Sequence, residues 1–129
     1  MTRVITFGTF DIFHVGHLRI LERARELGDH LIVGVSSDEL NESKKGRRPV
    51  YSLAERQRIL QSLRVVDEVF VEHSLEAKRD YVLQYRADVL VMGDDWQGRF
   101  DELGSLCKVV YLERTPSIST SAIIEKIKQ

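Results

Sequence analysis

The stretch GTFDIFHVGHLRILERARELGD, residues 8–29, sets two imidazoles, His14 and His17, around Gly16 where an apolar run gives way to a helical pattern. Paired histidines admit three readings. As zinc ligands they would need a cysteine or a third histidine close by, or the H-E-x-x-H spacing, and the stretch has neither. As helix-start residues packed against a sheet they would do no chemistry. As phosphate ligands they are well placed, because a helix amino terminus offers free N–H groups and partial positive charge. Gly16 would let a phosphate approach the backbone, and the imidazoles would donate to charge developing on a phosphorus during transfer. A dinucleotide-binding turn would require G-x-G-x-x-G, which is missing. The phosphate reading leads.

Other residues offer matching chemistry. RTPSISTS, residues 114–121, puts Arg114 and Thr115 at the end of a strand pattern and Ser119 and Thr120 at the start of a helix. A planar guanidinium, hydroxyls and free N–H groups suit the far end of a polyphosphate. NESKKGRRPVYS, residues 41–52, reads as a loop carrying Lys44, Lys45, Arg47 and Arg48. Such a charge run is ordinarily a solvated face, and it would also suit a cationic lid. Asp11 follows the first strand, and Asp94 and Asp95 follow the fourth. A carboxylate beside phosphate repels it unless a cation intervenes, so Asp11 and Asp95 are candidates to hold Mg²⁺, directly or through water. The alternative for Asp94 is an Asp-rich turn. Trp96 offers a wall to a base or a piece of core.

These groups need a frame. Short, continuous apolar runs rich in β-branched residues fall at 3–7, 30–36, 68–71, 88–93 and 108–112, the pattern of strands covered on both faces. Between them, helical periodicity covers 17–27, 52–63, 74–85 and 119–129, with Ser52 and Glu55 spaced as a capping box. The alternation predicts an α/β fold: a Rossmann-like, doubly wound parallel five-stranded sheet with helices on both faces. Ligands of such sheets bind beyond the carboxyl ends of the strands, where all of the groups above are expected.

Bulk properties narrow the class. The 129 residues predict one domain spanning 1–129, and a net charge of −1 argues against nucleic acid as a partner. A single cysteine excludes an internal disulfide framework, no apolar run reaches membrane-span length, and the start MTRVITF lacks a secretory signal. The expectation is a cytoplasmic protein with no membrane partner.

GTFDIFHVGH together with RTPSISTS resembles the two signatures of the HxGH nucleotidyltransferase superfamily in its cytidylyltransferase branch, and VMGDDWQGRFD, residues 91–101, is similar to the small bacterial glycerol-3-phosphate cytidylyltransferases. By that resemblance His14, His17, Lys44 and Arg114 are the catalytic groups. Thr9, Phe10, Gly16, Asp95, Trp96, Thr115, Ser119 and Thr120 would bind the nucleotide, and Asp11, Lys78 and Arg64 the acceptor. Lys45, Arg47 and Arg48 are rivals for the place of a second loop lysine. In one respect the chain departs from the glycerol-phosphate enzymes: Leu75 stands where they tend to carry tryptophan.

The resemblance implies transfer of CMP from CTP, with Mg²⁺, to an alcohol phosphate, foremost glycerol 3-phosphate, by a homodimer, giving CDP-glycerol and pyrophosphate. The alternatives are an adenylyltransferase of the same superfamily acting on a sugar phosphate, flavin nucleotide or pantetheine phosphate, and a non-catalytic nucleotide-binding module.

Overall fold

A computed structural model describes residues 1–114 and 119–129. The sheet consists of β1 (Arg3–Gly8), β2 (His30–Ser36), β3 (Glu68–Glu72), β4 (Val89–Gly93) and β5 (Lys108–Leu112). All are parallel, in the order β3-β2-β1-β4-β5. The chain winds outward from β1 to β3, then returns to the other side of β1 with β4. A crevice therefore opens between the carboxyl ends of β1 and β4.

Successive residues of each strand face opposite layers, and both layers are apolar, which is why the runs are continuous. Val4, Leu31, Val33, Val35, Val89 and Val91 join Leu21, Ala24 and Leu60 on one face, beneath α1 (Val15–Arg25) and α3 (Leu53–Gln61). Ile5, Phe7, Ile32, Leu90 and Met92 form the other core with Val82 of α4 (Lys78–Gln84), Leu103 and Cys107. Gly34 belongs to this packing: a Cβ there would lie 2.6 Å from Phe70 Cζ and 2.7 Å from Phe7 Cδ1. The sheet is the one the sequence predicts.

The helices differ in detail from expectation. The first starts at Val15, so His14 is its N-cap and His17 lies in its first turn. The third carries the expected capping box, Ser52 with Glu55. The largest correction concerns residues 41–52. Their first part is not loop but the end of a helix, α2 (Asp38–Lys45), so Lys44 and Lys45 stand on a helical turn. Only Leu40 is apolar there, and no periodicity announces the helix. Its ends specify it instead: Ser37 caps the amino terminus, Asp38 and Glu39 occupy the first turn, the lysines the last, and Gly46 closes it at φ 75°. α5 (Thr120–Lys128) ends the chain.

A fully buried Arg56 ties these parts together. Its guanidinium donates to the carbonyls of Thr9 (3.0 Å), Ser36 (2.8 Å) and Tyr51 (3.1 Å) and to Asp38 Oδ1 (2.6 Å). Removing one member of a buried charged network leaves the others unsatisfied. Arg56→Met is expected to lose about 3–5 kcal/mol in urea unfolding; a loss below about 1 kcal/mol would show that the network is dispensable.

Candidate active site

The turn after β1 is unusual backbone. Phe10 and Ile12 have φ of 54° and 46°, a left-handed conformation that is costly for bulky residues. Asp11 between them compensates. Its carboxylate accepts from the N–H groups of Val50 (2.7 Å), Tyr51 (2.8 Å) and Ile12 (3.1 Å), and its carbonyl accepts from the Thr120 hydroxyl (2.6 Å). Both oxygens of this buried carboxylate are thus spent on backbone. This corrects the expectation of Asp11 as a metal or acceptor ligand: it holds the turn in shape.

The held turn sets the histidines. The Gly16 N–H donates to His14 Nδ1 at 3.1 Å, and the His14 N–H donates to His17 Nδ1 at 3.2 Å. Each Nδ1 is therefore an acceptor, and the ring proton of each neutral imidazole is on Nε2. Gly16, expected to leave room for a phosphate at the backbone, has its own N–H taken by His14. The rings stack at 3.8 Å between centroids, and His17 meets the edge of the Phe10 ring at 5.4 Å. His14 Nε2 is buried and has no hydrogen-bond partner among the described residues. An orphaned buried donor costs free energy, so it points to a missing acceptor.

Burial and, secondarily, Arg114 hold His14 below its ordinary value. Burial, then the neighbouring His14, Arg114 and Lys45 charges, push His17 down to about 3. Both rings are neutral donors near pH 7.

A cleft of about 390 Å³ opens beside them, and His17, Thr9, Phe10, Lys44, Asp95, Trp96, Arg114, Ser119 and Thr120 all line it. The Thr9 hydroxyl donates to Asn41 Oδ1 at 2.6 Å, and Ser119 caps α5 by accepting from the Ala122 N–H. Arg114 approaches Asp95 at 3.7 Å across the mouth, both half-exposed. Lys44 donates to Ser36 Oγ at 3.2 Å. Burial lowers the pKa of both Lys44 and Lys45; Glu72 opposes the shift at Lys44, while Arg47 reinforces it at Lys45. Arg48 turns to Glu42 at 2.8 Å. Lys45, more exposed, stands next to Lys44 at the cleft. Thr115 lies outside the described residues.

Arg64 is a second correction. It is exposed in the turn that leads into β3, at the amino ends of the strands and away from the cleft. Lys78 does line the cleft, but it is buried and its Nζ lies 2.5 Å from Glu72 Oε2. Sequence reasoning did not select Glu72, Asn41 or Arg56. A carboxylate ending an apolar strand run at the carboxyl edge was the available signal for Glu72. Among the described residues no group of three His, Cys, Asp or Glu side chains is arranged to hold a metal ion. With the Asp11 oxygens occupied, the donor set does not fit a protein-held cation.

The depressed His17 pKa has a sign that can be tested. The unfolded chain takes up a proton near pH 6.5, whereas folded His17 stays neutral until about pH 3. Stability is therefore undiminished above pH 6.5 and falls as pH drops from there toward 3. His17→Gln keeps a capping-box side chain without the titration. Between pH 7.5 and 5 the wild type should lose up to about 2 kcal/mol more than this variant in urea unfolding; parallel losses would mean that His17 titrates normally.

Comparison with known proteins agrees with this geometry. The Cytidylyltransferase-like family model matches residues 5–126. Glycerol-3-phosphate cytidylyltransferase of Bacillus subtilis is 49% identical over 127 residues, covering 98% of each chain. FAD synthase of Thermococcus sibiricus is 36% identical, over 97% of this chain and 91% of that one. Among solved structures, a lipopolysaccharide core biosynthesis protein from Thermoplasma volcanium superposes with a TM-score of 0.76 at 28% identity, over 89% of this chain and 98% of its own. A strained turn that stacks two neutral imidazoles beside a cation-lined cleft, in a chain matched almost from end to end, makes this protein a member of the cytidylyltransferase-like family.

Proposed function

We propose that the protein is a glycerol-3-phosphate cytidylyltransferase. A phosphate oxygen of the acceptor attacks the α-phosphorus of CTP, a new P–O bond forms, and the bond to pyrophosphate breaks, giving CDP-glycerol. A phosphate monoester is already a competent nucleophile near neutral pH, so no general base is needed, and the work is positioning and charge stabilisation. The observation that carries this reading is the orphaned, buried Nε2–H of His14 stacked on His17 at the cleft.

In this reading His14 and His17 donate to phosphate oxygens as negative charge moves toward the leaving group. Neutral donors suit that task, since they stabilise the charge without competing for a proton. Lys44, Lys45 and Arg114 supply positive charge, and the capped start of α5, with Ser119 and Thr120, receives the far end of the triphosphate. Trp96 and Asp95 border the cleft on the β4 side, where a base would lie. Mg²⁺ would enter only as a companion of the triphosphate, where it would neutralise phosphate charge, and no step here depends on it.

The likeness to an FAD synthase favours adenylyl transfer as the second reading. A homodimer and a cytoplasmic setting complete the proposal on the strength of the family resemblance; among the described residues no helix is long and apolar enough to cross a membrane.

Pyrophosphate release with each of four nucleotides, against a panel of alcohol phosphates, tests the reading. CTP with glycerol 3-phosphate should be the best pair; preference for ATP would transfer the chain to the second reading. His17→Ala should lower turnover by about 10²- to 10³-fold, the usual loss for a transition-state donor. Wild-type-like turnover from that variant would remove His17 from the mechanism.

A further inference from the structure

The cleft contains a charged pair that the reaction as written does not use. Glu72 ends β3 at 1% exposure, and Lys78 opens α4 at 3%. Their 2.5 Å contact lies inside an aromatic frame, with the ammonium 4.5 Å from the centre of the Phe7 ring and 5.2 Å from that of Phe100. Both residues line the cleft. Withdrawing an ion pair from water costs free energy that apolar side chains would avoid, so stability alone does not account for it.

The pair is also a poor phosphate site. A phosphate dianion brought to Lys78 would meet the Glu72 carboxylate at the same place, and the net charge there is zero. Lys44 differs. Among the described residues it has no carboxylate within 4.0 Å, and its Nζ rests on the Ser36 hydroxyl. Glu72 is the leading charge acting on it, and all three residues line the cleft, so Lys44 stands close to the pair. A strong acceptor and a strong donor side by side in an apolar frame match the hydroxyl group, which donates and accepts at once.

Resting on the cytidylyltransferase reading, we infer that Glu72 and Lys78 read the hydroxyl groups of the acceptor, while the acceptor's phosphate lies toward Lys44. Glu72 is then a specificity-determining residue, and Lys78 recognises the polyol rather than its phosphate. A site built to bond hydroxyls rejects an analogue that lacks them, because its buried polar groups are left unpaired.

The test compares glycerol 3-phosphate with propyl phosphate, which has the phosphate and chain but no free hydroxyl, at saturating CTP. The wild type should favour glycerol 3-phosphate in kcat/KM by about 10- to 100-fold, the range for hydrogen bonds to charged groups. Glu72→Gln should move that ratio toward one while KM for CTP stays within about twofold, and the apolar pair Glu72→Leu with Lys78→Met should do the same. Equal use of the two acceptors by the wild type would overturn the inference, and that arm needs no variant to fold. So would a Glu72→Gln variant, folded by its thermal melt, that loses both acceptors by the same factor. Absence of any CDP-alcohol from either acceptor would instead overturn the reading on which the inference rests.

Discussion

Everything at the carboxyl end of the sheet hangs on one buried guanidinium. Arg56 takes the last free carbonyls of the β1 and β2 ends, Thr9 and Ser36, together with Tyr51 O and the Asp38 carboxylate. Strand ends and a helix start leave polar groups that must be satisfied wherever water is excluded. A planar fork with five donors satisfies several at once, and its rigidity fixes the distances between them. The strained turn at Phe10 and Ile12 persists because that frame, with the Asp11 carboxylate and the Thr120 hydroxyl, over-determines it.

The charges of the cleft divide by what already neutralises them. Arg48 is taken up by Glu42, Lys78 by Glu72, and Arg114 faces Asp95 across a half-exposed gap. Lys44 is half-buried and Lys45 more exposed, and loss of water around them is the main cause that holds both below their ordinary pKa. An anion entering the cleft meets ammonium groups already stripped of part of their water, and so gains more from them than from fully solvated lysines. Their place on the last turn of a capped helix gives this charge a fixed position.

The sheet was legible because burial on both faces demands continuous β-branched runs, and Val4, Val33 and Val91 answer to that demand alone. The histidine turn was legible because its chemistry is local in sequence. What was not legible depends on parts of the chain that meet only in space. Lys44 and Lys45 read as loop because α2 is specified by its caps, with Leu40 its single apolar residue. Asp11 read as a ligand because nothing local shows that the N–H groups of Val50 and Tyr51 return to it. Glu72 looked like any polar strand end until Lys78 was brought against it. Arg64 was misplaced for a different reason: it precedes β3, and strand direction alone puts it at the far end of the sheet from the site.

The imidazoles have two jobs. His14 Nδ1 caps α1 and His17 Nδ1 completes the reciprocal cap, while the opposite nitrogens carry the ring protons that the proposed reaction uses. Elsewhere a chain can trade stability against activity residue by residue, because the groups that hold a helix are different from those that act. Here they are the same two rings. A substitution that tightens the cap, such as serine, one of the residues favoured at helix starts, removes a reagent, and one that retunes the reagent loosens the helix. Directed evolution for heat tolerance therefore has no route through positions 14 and 17, and any gain must come from the sheet, from α3 or from the surface.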